Sequence, residues 1–306
     1  MKIVIIGAGG VGGFFGAKLV KEGFDVTFIA RGKHLNAIKA DGLQVKSIDG
    51  DFTVYPKVTD KISEVKNPEL IILGVKSWQV REVALQIKPI LTKETMVLPL
   101  QNGANNADKL LSVLPKENVL VGVSRIVSKI EVPGIINHFA FVPQINFGEY
   151  NNKKTERINK VKAVFDKAGF KNFISEDIHL DIWRKFLFIA TISGMGALTR
   201  AVFGVMRENK EIRSMILDTA NEIKQIANAK GIGLTEKDIE STMQAIDNND
   251  YNTTASMQRD MMEGRPSELD NFNGYIVDQG NILGISTPVN SFTYNCLLLQ
   301  EKLARK

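Results

Sequence analysis

Lys2-Ile3-Val4-Ile5-Ile6-Gly7-Ala8-Gly9-Gly10-Val11-Gly12 is the stretch on which the fold turns. Ile3–Ile6 is a short β-branched run, the pattern of a strand buried on both faces. It ends at Gly7. Val11–Lys21 then follows at helical period, and Gly23 supplies a stop. Three glycines at this spacing carry weight only between a strand and a helix, which is where they stand. Gly7 permits a tight turn. Gly9 lets the backbone come close to a diphosphate. Gly12 lets the helix pack against the strand. The first N–H groups of the helix, around Ala8, Gly10 and Val11, are left to face an anion, and the helix dipole favours one there. The stretch therefore predicts a Rossmann-type turn holding the pyrophosphate of a dinucleotide.

Working outward, Val26–Ile29 reads as the second strand. Its end decides which dinucleotide fits. Chains that hold NAD place a carboxylate there for the ribose 2′-hydroxyl. This chain has Ala30-Arg31, with Lys33 close by. A guanidinium without a carboxylate favours a 2′-phosphate, so the expected cofactor is NADP(H). Leu70–Val75 and Met96–Leu98 read as two further short strands, with a helix near Trp78–Lys88 between them. Leu43–Lys46 and Phe52–Tyr55 flank Asp49-Gly50, a hairpin signal. The alternation predicts a parallel, doubly wound sheet. Lys76 and Asn102 stand just past strand ends, where ligands meet such sheets, so both are candidate cofactor contacts.

Val119–Glu149 is β-rich around Pro133-Gly134, which predicts an antiparallel hairpin closing the sheet. A helix over about Lys153–Ala168 follows, its lysines forming a solvated face. Beyond Ile178 strand signals vanish. Helical periodicity runs through Ile182–Leu198, Glu211–Lys230, Glu236–Asp247 and Glu268–Asn281. The expected architecture is α/β, a Rossmann-type domain over 1–176 followed by an all-helical domain over 177–306.

Composition narrows the class. The 306 residues carry 39 basic and 34 acidic side chains, a net charge of +5. That excess suits an anionic ligand, but it is too scattered for nucleic acid. Cys296 is the only cysteine, so no intramolecular disulfide or cysteine zinc site is expected, and a reducing cytoplasm is the natural setting. No signal peptide is read at the start. No apolar run reaches the ~18 residues of a membrane helix. His34, His138 and His179 lack ligand spacing, so no metal is expected.

The opening stretch, Leu73-Gly74-Val75-Lys76, Gln101-Asn102-Gly103, Asp181-Ile182-Trp183-Arg184-Lys185-Phe186, Ser256-Met257-Gln258-Arg259-Asp260 and Ser267-Glu268-Leu269-Asp270 together resemble the ketopantoate reductases (2-dehydropantoate 2-reductases), in order and over nearly the whole chain. The resemblance implies a small 2-oxo acid reduced with NADPH, as a step towards pantothenate and coenzyme A. It implies that Lys185 is the catalytic lysine and that Glu268 contacts the cofactor and organises the site. It assigns Ser256 to substrate, Asn102 to both cofactor and substrate, and a loop near Val127 to a backbone contact with the cofactor.

Two positions depart from that pattern. The family carries asparagines one and two turns after the lysine, where this chain has Ile189 and Ser193. Isoleucine cannot hydrogen-bond through its side chain, and serine is shorter than asparagine, although Ser193 keeps a substrate-binding role in this reading. Polar groups dominate discrimination of polar substrates, so the departures bear on the identity of the oxo acid. Arg200 would meet a substrate carboxylate if the helix bends at Gly194 or Gly196, and is otherwise a surface residue. Two rival readings stand beside the first: the same chemistry on another carbonyl substrate, and a non-catalytic NADP(H) sensor. Oligomeric state is left open, a homodimer included.

Overall fold

A computed structural model describes residues Met1–Lys306, which form two compact units, Met1–Ile178 and His179–Lys306. In the first, β1 (Lys2–Ile6), β2 (Asp25–Ile29), β5 (Lys57–Thr59), β6 (Leu70–Leu73) and β7 (Met96–Pro99) make one sheet. Its order is β5-β2-β1-β6-β7, and every pairing is parallel. The chain leaves β1 towards one edge and returns to β6 on the other side. The switch point therefore lies between β1 and β6, and their carboxyl ends form the crevice where such sheets bind ligands. Residues Ile3 to Ile6 are buried on both faces, as the apolar run required.

Helix α1 (Gly10–Lys21) covers one face, with Phe14, Phe15, Ala17 and Leu19 packed into the core with Ile3, Ile5 and Phe28. Helix α2 (Gly32–Asp41) follows β2 directly and carries few apolar residues, which is why the sequence does not announce it. Helices α3 (Val80–Ile87) and α4 (Asn106–Leu111) follow β6 and β7.

The hairpin differs from expectation. Strands β8 (Leu120–Val132) and β9 (Ile135–Glu149) are antiparallel neighbours, and a single parallel bridge, Val97 to Val119 just ahead of β8, is their ladder link to the parallel sheet. β9 pairs with β3 (Leu43–Ser47), which pairs antiparallel with β4 (Phe52–Val54), and further along its length with β10 (Lys171–Ile174), both on the edge opposite β8. A second sheet results. Local pattern shows that a hairpin forms, but long-range register chooses its partner. Helix α5 (Glu156–Lys167) packs Ile158, Val161, Val164 and Phe165 into the shared core.

The second unit is all helical: α6 (Ile178–Thr199), α7 (Phe203–Glu208), α8 (Lys210–Ala229), α9 (Glu236–Asn248), α10 (Ser256–Met262), α11 (Asn273–Leu283) and α12 (Pro288–Ala304). Helix α6 runs unbroken through its glycines. A Cβ on Gly194 would lie 2.6 Å from Asn273 Oδ1, and one on Gly196 would lie 2.5 Å from Gln258 Oε1. These glycines allow close approach of α11 and α10. The helix ends instead at Arg200, which takes the left-handed conformation (φ 58°) and donates its N–H to the Gly196 carbonyl. Glu268 caps a short 3₁₀ turn (Leu269–Asn271) ahead of α11, whereas periodicity placed a helix over 268–281. No helix is long and apolar enough to cross a membrane. No group of three or more His, Cys, Asp or Glu side chains converges on one point.

Candidate functional site

At the switch point, Gly7 has φ +96°, open to glycine but not to L side chains. A Cβ there would lie 2.6 Å from the Val75 nitrogen. One on Gly74 would lie 2.8 Å from the Gly7 carbonyl oxygen, and one on Gly12 would run into that same oxygen. Gly7, Gly12 and Gly74 thus bring two strand ends and the start of α1 into backbone contact. Gly74 stood in a quoted motif without a role, because its neighbours are distant in sequence.

Gly9 is the N-cap of α1 and offers no side-chain acceptor to the first turn. Nothing lies within 4 Å of where its Cβ would be. Open space beside unpaired helix N–H groups is a cradle that a phosphate fits. Gly10 closes the other side, since a Cβ there would run into the Ser128 carbonyl of β8. Val127 belongs to that strand, not to a loop, with register shifts on both sides of it. The bulge turns the β8 backbone at 127–128 towards the start of α1. Ser128 Oγ is buried there without a partner, as are Gln101 Oε1 and Nε2 and Asn105 Oδ1 beyond β7. Orphaned buried polar atoms are rare, and a bound polar ligand is one of the few things that excuses them.

Arg31 is exposed and forms the N-cap of α2. The guanidinium and the free N–H groups of this second helix start favour an anion together. Lys76 is exposed past β6, its Nζ 5.6 Å from the Trp78 ring centroid.

Asn102 is half-buried, and Gly103 beside it turns with φ +116°. The turn is held by Asn106, which sequence reasoning missed. Its Nδ2 donates to the carbonyls of Gln101 (3.2 Å) and Asn102 (3.1 Å). Its Oδ1 accepts from Ser77 Oγ at 2.5 Å, and Lys109 Nζ donates to Ser77 in turn. One buried amide therefore ties the turn carrying Asn102 to the turn carrying Lys76. An asparagine in the first turn of a short helix has no local signature that would have revealed this.

In the helical unit, Lys185 is half-buried on α6. Phe186 beside it packs edge-on against Phe272, ring centroids 6.1 Å apart, and Trp183 packs on both Phe186 and Tyr275. Phe272 closes the turn that begins at Glu268. The aromatic cluster therefore brings the Lys185 turn and the Glu268 turn together. Glu268 is buried and accepts from Asn271 Nδ2 at 2.9 Å. Preceding Ser267 donates its N–H and its hydroxyl to Glu301 on α12, and Arg305 pairs with the same carboxylate at 2.6 Å. Glu301 is another residue missed in sequence, an acidic position in an otherwise unremarked helix.

Ser256 is exposed at the first position of α10. Gln258 fixes that helix start to the end of α6 by donating to the Ala201 carbonyl at 2.9 Å. One turn beyond Lys185 stands half-buried Ile189, and a turn further Ser193, 2% exposed. Arg200 is exposed, just past the end of α6.

Known proteins resemble this chain over its whole length. Residues 3–152 match the family described as ketopantoate reductase PanE/ApbA, and residues 177–301 match its C-terminal part. A 2-dehydropantoate 2-reductase of Pyrococcus abyssi is 32% identical over all of both chains. The crystal structure of a PanE/ApbA family ketopantoate reductase from Ralstonia eutropha JMP134 superposes with a TM-score of 0.92 at 29% identity, covering all of both chains. A D-mandelate dehydrogenase with NADH and anilino(oxo)acetate gives 0.91 at 26% identity, again over both full chains. These proteins are oxidoreductases, and this chain belongs to the ketopantoate reductase family.

Proposed function

We propose that this chain reduces a 2-oxo acid to the corresponding 2-hydroxy acid with NADPH, ketopantoate being the first substrate to consider. The observation that carries the reading is the joining of the Lys185 turn to the Glu268 turn through Phe186 and Phe272. NADPH, when bound, supplies the hydride. The rest falls to the chain. The α1 start with Gly7, Ala8, Gly9, Gly10, Val11 and Gly12 holds the pyrophosphate, and Arg31 holds the 2′-phosphate. Lys76 and the β8 backbone at Val127 add cofactor contacts. Asn102 offers its amide to cofactor and substrate.

Lys185 hydrogen-bonds the oxo oxygen, stabilises the negative charge that grows there and delivers the proton. One hydride on carbon and one proton on oxygen complete the alcohol. Glu268 favours the charged form of the lysine. Ser193 and Ser256 bind the substrate. A chain with one cysteine suits work in a reducing cytoplasm.

Ile189 favours a second reading within the same chemistry. An apolar side chain one turn from Lys185 suits a 2-oxo acid bearing an alkyl or aryl group better than one bearing a hydroxyl. NADPH absorbance followed with ketopantoate, 2-oxoisovalerate and phenylglyoxylate separates the two. Ketopantoate is expected to have the highest kcat/KM. A higher value for either of the others transfers the assignment, and tight NADPH binding with no turnover on any 2-oxo acid leaves a sensor.

Arg31→Ala tests the cofactor. Charge-assisted bonds of this kind contribute about 1.5–3 kcal/mol, so KM for NADPH is expected to rise on the order of tenfold to a hundredfold. KM for NADH should move far less. Equal changes for both would remove the 2′-phosphate assignment.

A further inference from the structure

His34, on the first turns of α2, lies outside every role given so far. It is half-buried, and both ring nitrogens are engaged. Nδ1 accepts the Gly134 N–H at 2.9 Å, so the proton of the neutral ring is on Nε2, which donates to the Ala8 carbonyl at 2.8 Å. Burial pushes the imidazole below its ordinary pKa of 6.5, and the bond to Ala8 opposes that in part. Gly134 is itself fixed. Its carbonyl accepts from the Gln44 N–H at 2.9 Å, and a Cβ on it would lie 2.9 Å from Ala37 on α2. The ring therefore spans a rigid hairpin tip and the middle of the glycine turn.

That span has a directional consequence. In a trans peptide the carbonyl and the following N–H point in opposite directions. Holding the Ala8 carbonyl on His34 aims the Gly9 N–H away from His34. The same imidazole sits three residues beyond Arg31, so it links the pyrophosphate turn to the helix start that carries the guanidinium. We propose that His34 is a positioning residue for the dinucleotide, orienting the Ala8–Gly9 peptide through its Nε2 donor. The proposal rests on the nicotinamide reading above.

Three variants of the full chain test it, with NADPH as the probe. Glutamine places its amide nitrogen at the reach of Nε2, whereas the shorter asparagine places its amide only at the reach of Nδ1, where its oxygen can accept from Gly134 but its nitrogen falls short of Ala8. His34→Phe and His34→Asn are expected to raise the Kd for NADPH about tenfold, as for one lost hydrogen bond, while His34→Gln stays within about threefold of the wild type. In steady state the loss should fall on KM for NADPH and not on kcat. Gln and Asn each discard one of two bonds, so a merely structural role would move them alike. Equal affinities for Gln and Asn, or an unchanged affinity for Phe, would overturn the proposal. If the Phe variant does not fold, the Gln and Asn pair decides it. A wild-type chain that binds neither NADPH nor NADH overturns the nicotinamide reading and this proposal with it. NADPH binding by wild type with no difference among variants overturns this proposal alone.

Discussion

Lys185→Ala is expected to lower kcat by about 10²–10⁴-fold while NADPH still binds, because a positioned general acid contributes on that order. The substrate oxygen gains negative charge as hydride reaches carbon. Without the ammonium, neither a donor for that charge nor a proton is at hand. The fold should tolerate the change. Alanine is the best helix former, Lys185 is half-buried on a 22-residue helix, and the packing of that turn comes from Trp183 and Phe186. The measurements are turnover at saturating NADPH, the dissociation constant of NADPH and the melting temperature. Turnover within tenfold of wild type would remove Lys185 from the mechanism. A collapse in melting temperature would mean that the loss of rate reports unfolding instead.

Gly12→Ala carries the second large effect, this time on the cofactor side. The new methyl would collide with the Gly7 carbonyl oxygen and press on Ile5 Cγ2 at 3.1 Å. Neither can retreat. Gly7 donates its N–H to the Ile29 carbonyl at 3.2 Å and is backed by the Gly74-Val75 peptide on its other side. Helix α1 must therefore lift from β1, and its free N–H groups move with it. Overpacking of this kind costs about 1–3 kcal/mol. In a chain of this size that corresponds to a fall in melting temperature of roughly 2–4 °C per kcal/mol. NADPH affinity should drop by more than tenfold, since the phosphate cradle itself is displaced. Gly9→Ala is the informative companion. Its methyl meets nothing within 4 Å, so stability should hold while affinity falls. Unchanged affinity in both variants would mean that the turn does not hold the pyrophosphate.

Much of this site was legible in the chain. The strand, turn and helix from Lys2 to Lys21 were readable because each rests on contacts within one βα unit, where local pattern and tertiary structure agree. Ala30 was legible as a strand end for the same reason, whereas the helix start at Arg31-Gly32 carries too few apolar residues to be read. The helical character of the second half followed from periodicity alone. Lys185 and Glu268 were not readable that way: an isolated lysine on an amphipathic helix looks like any solvated one, and only the resemblance to a family set it apart.

Sequence by itself determined the glycine turn, the parallel alternation that follows it and the helical second half, because those depend on neighbours a few residues away. Tertiary structure alone decided that the 120–149 hairpin joins a second sheet, that its bulge at Val127 and Ser128 lies against Gly10, and that Glu268 stands in a turn braced by Glu301. It also decided that Asn106 binds two strand-end turns together and that His34 grips Ala8 from across the chain. Each of these joins residues about 25 or more apart, and the polar side chains involved take their meaning from the partner that folding brings to them, which no local spacing records.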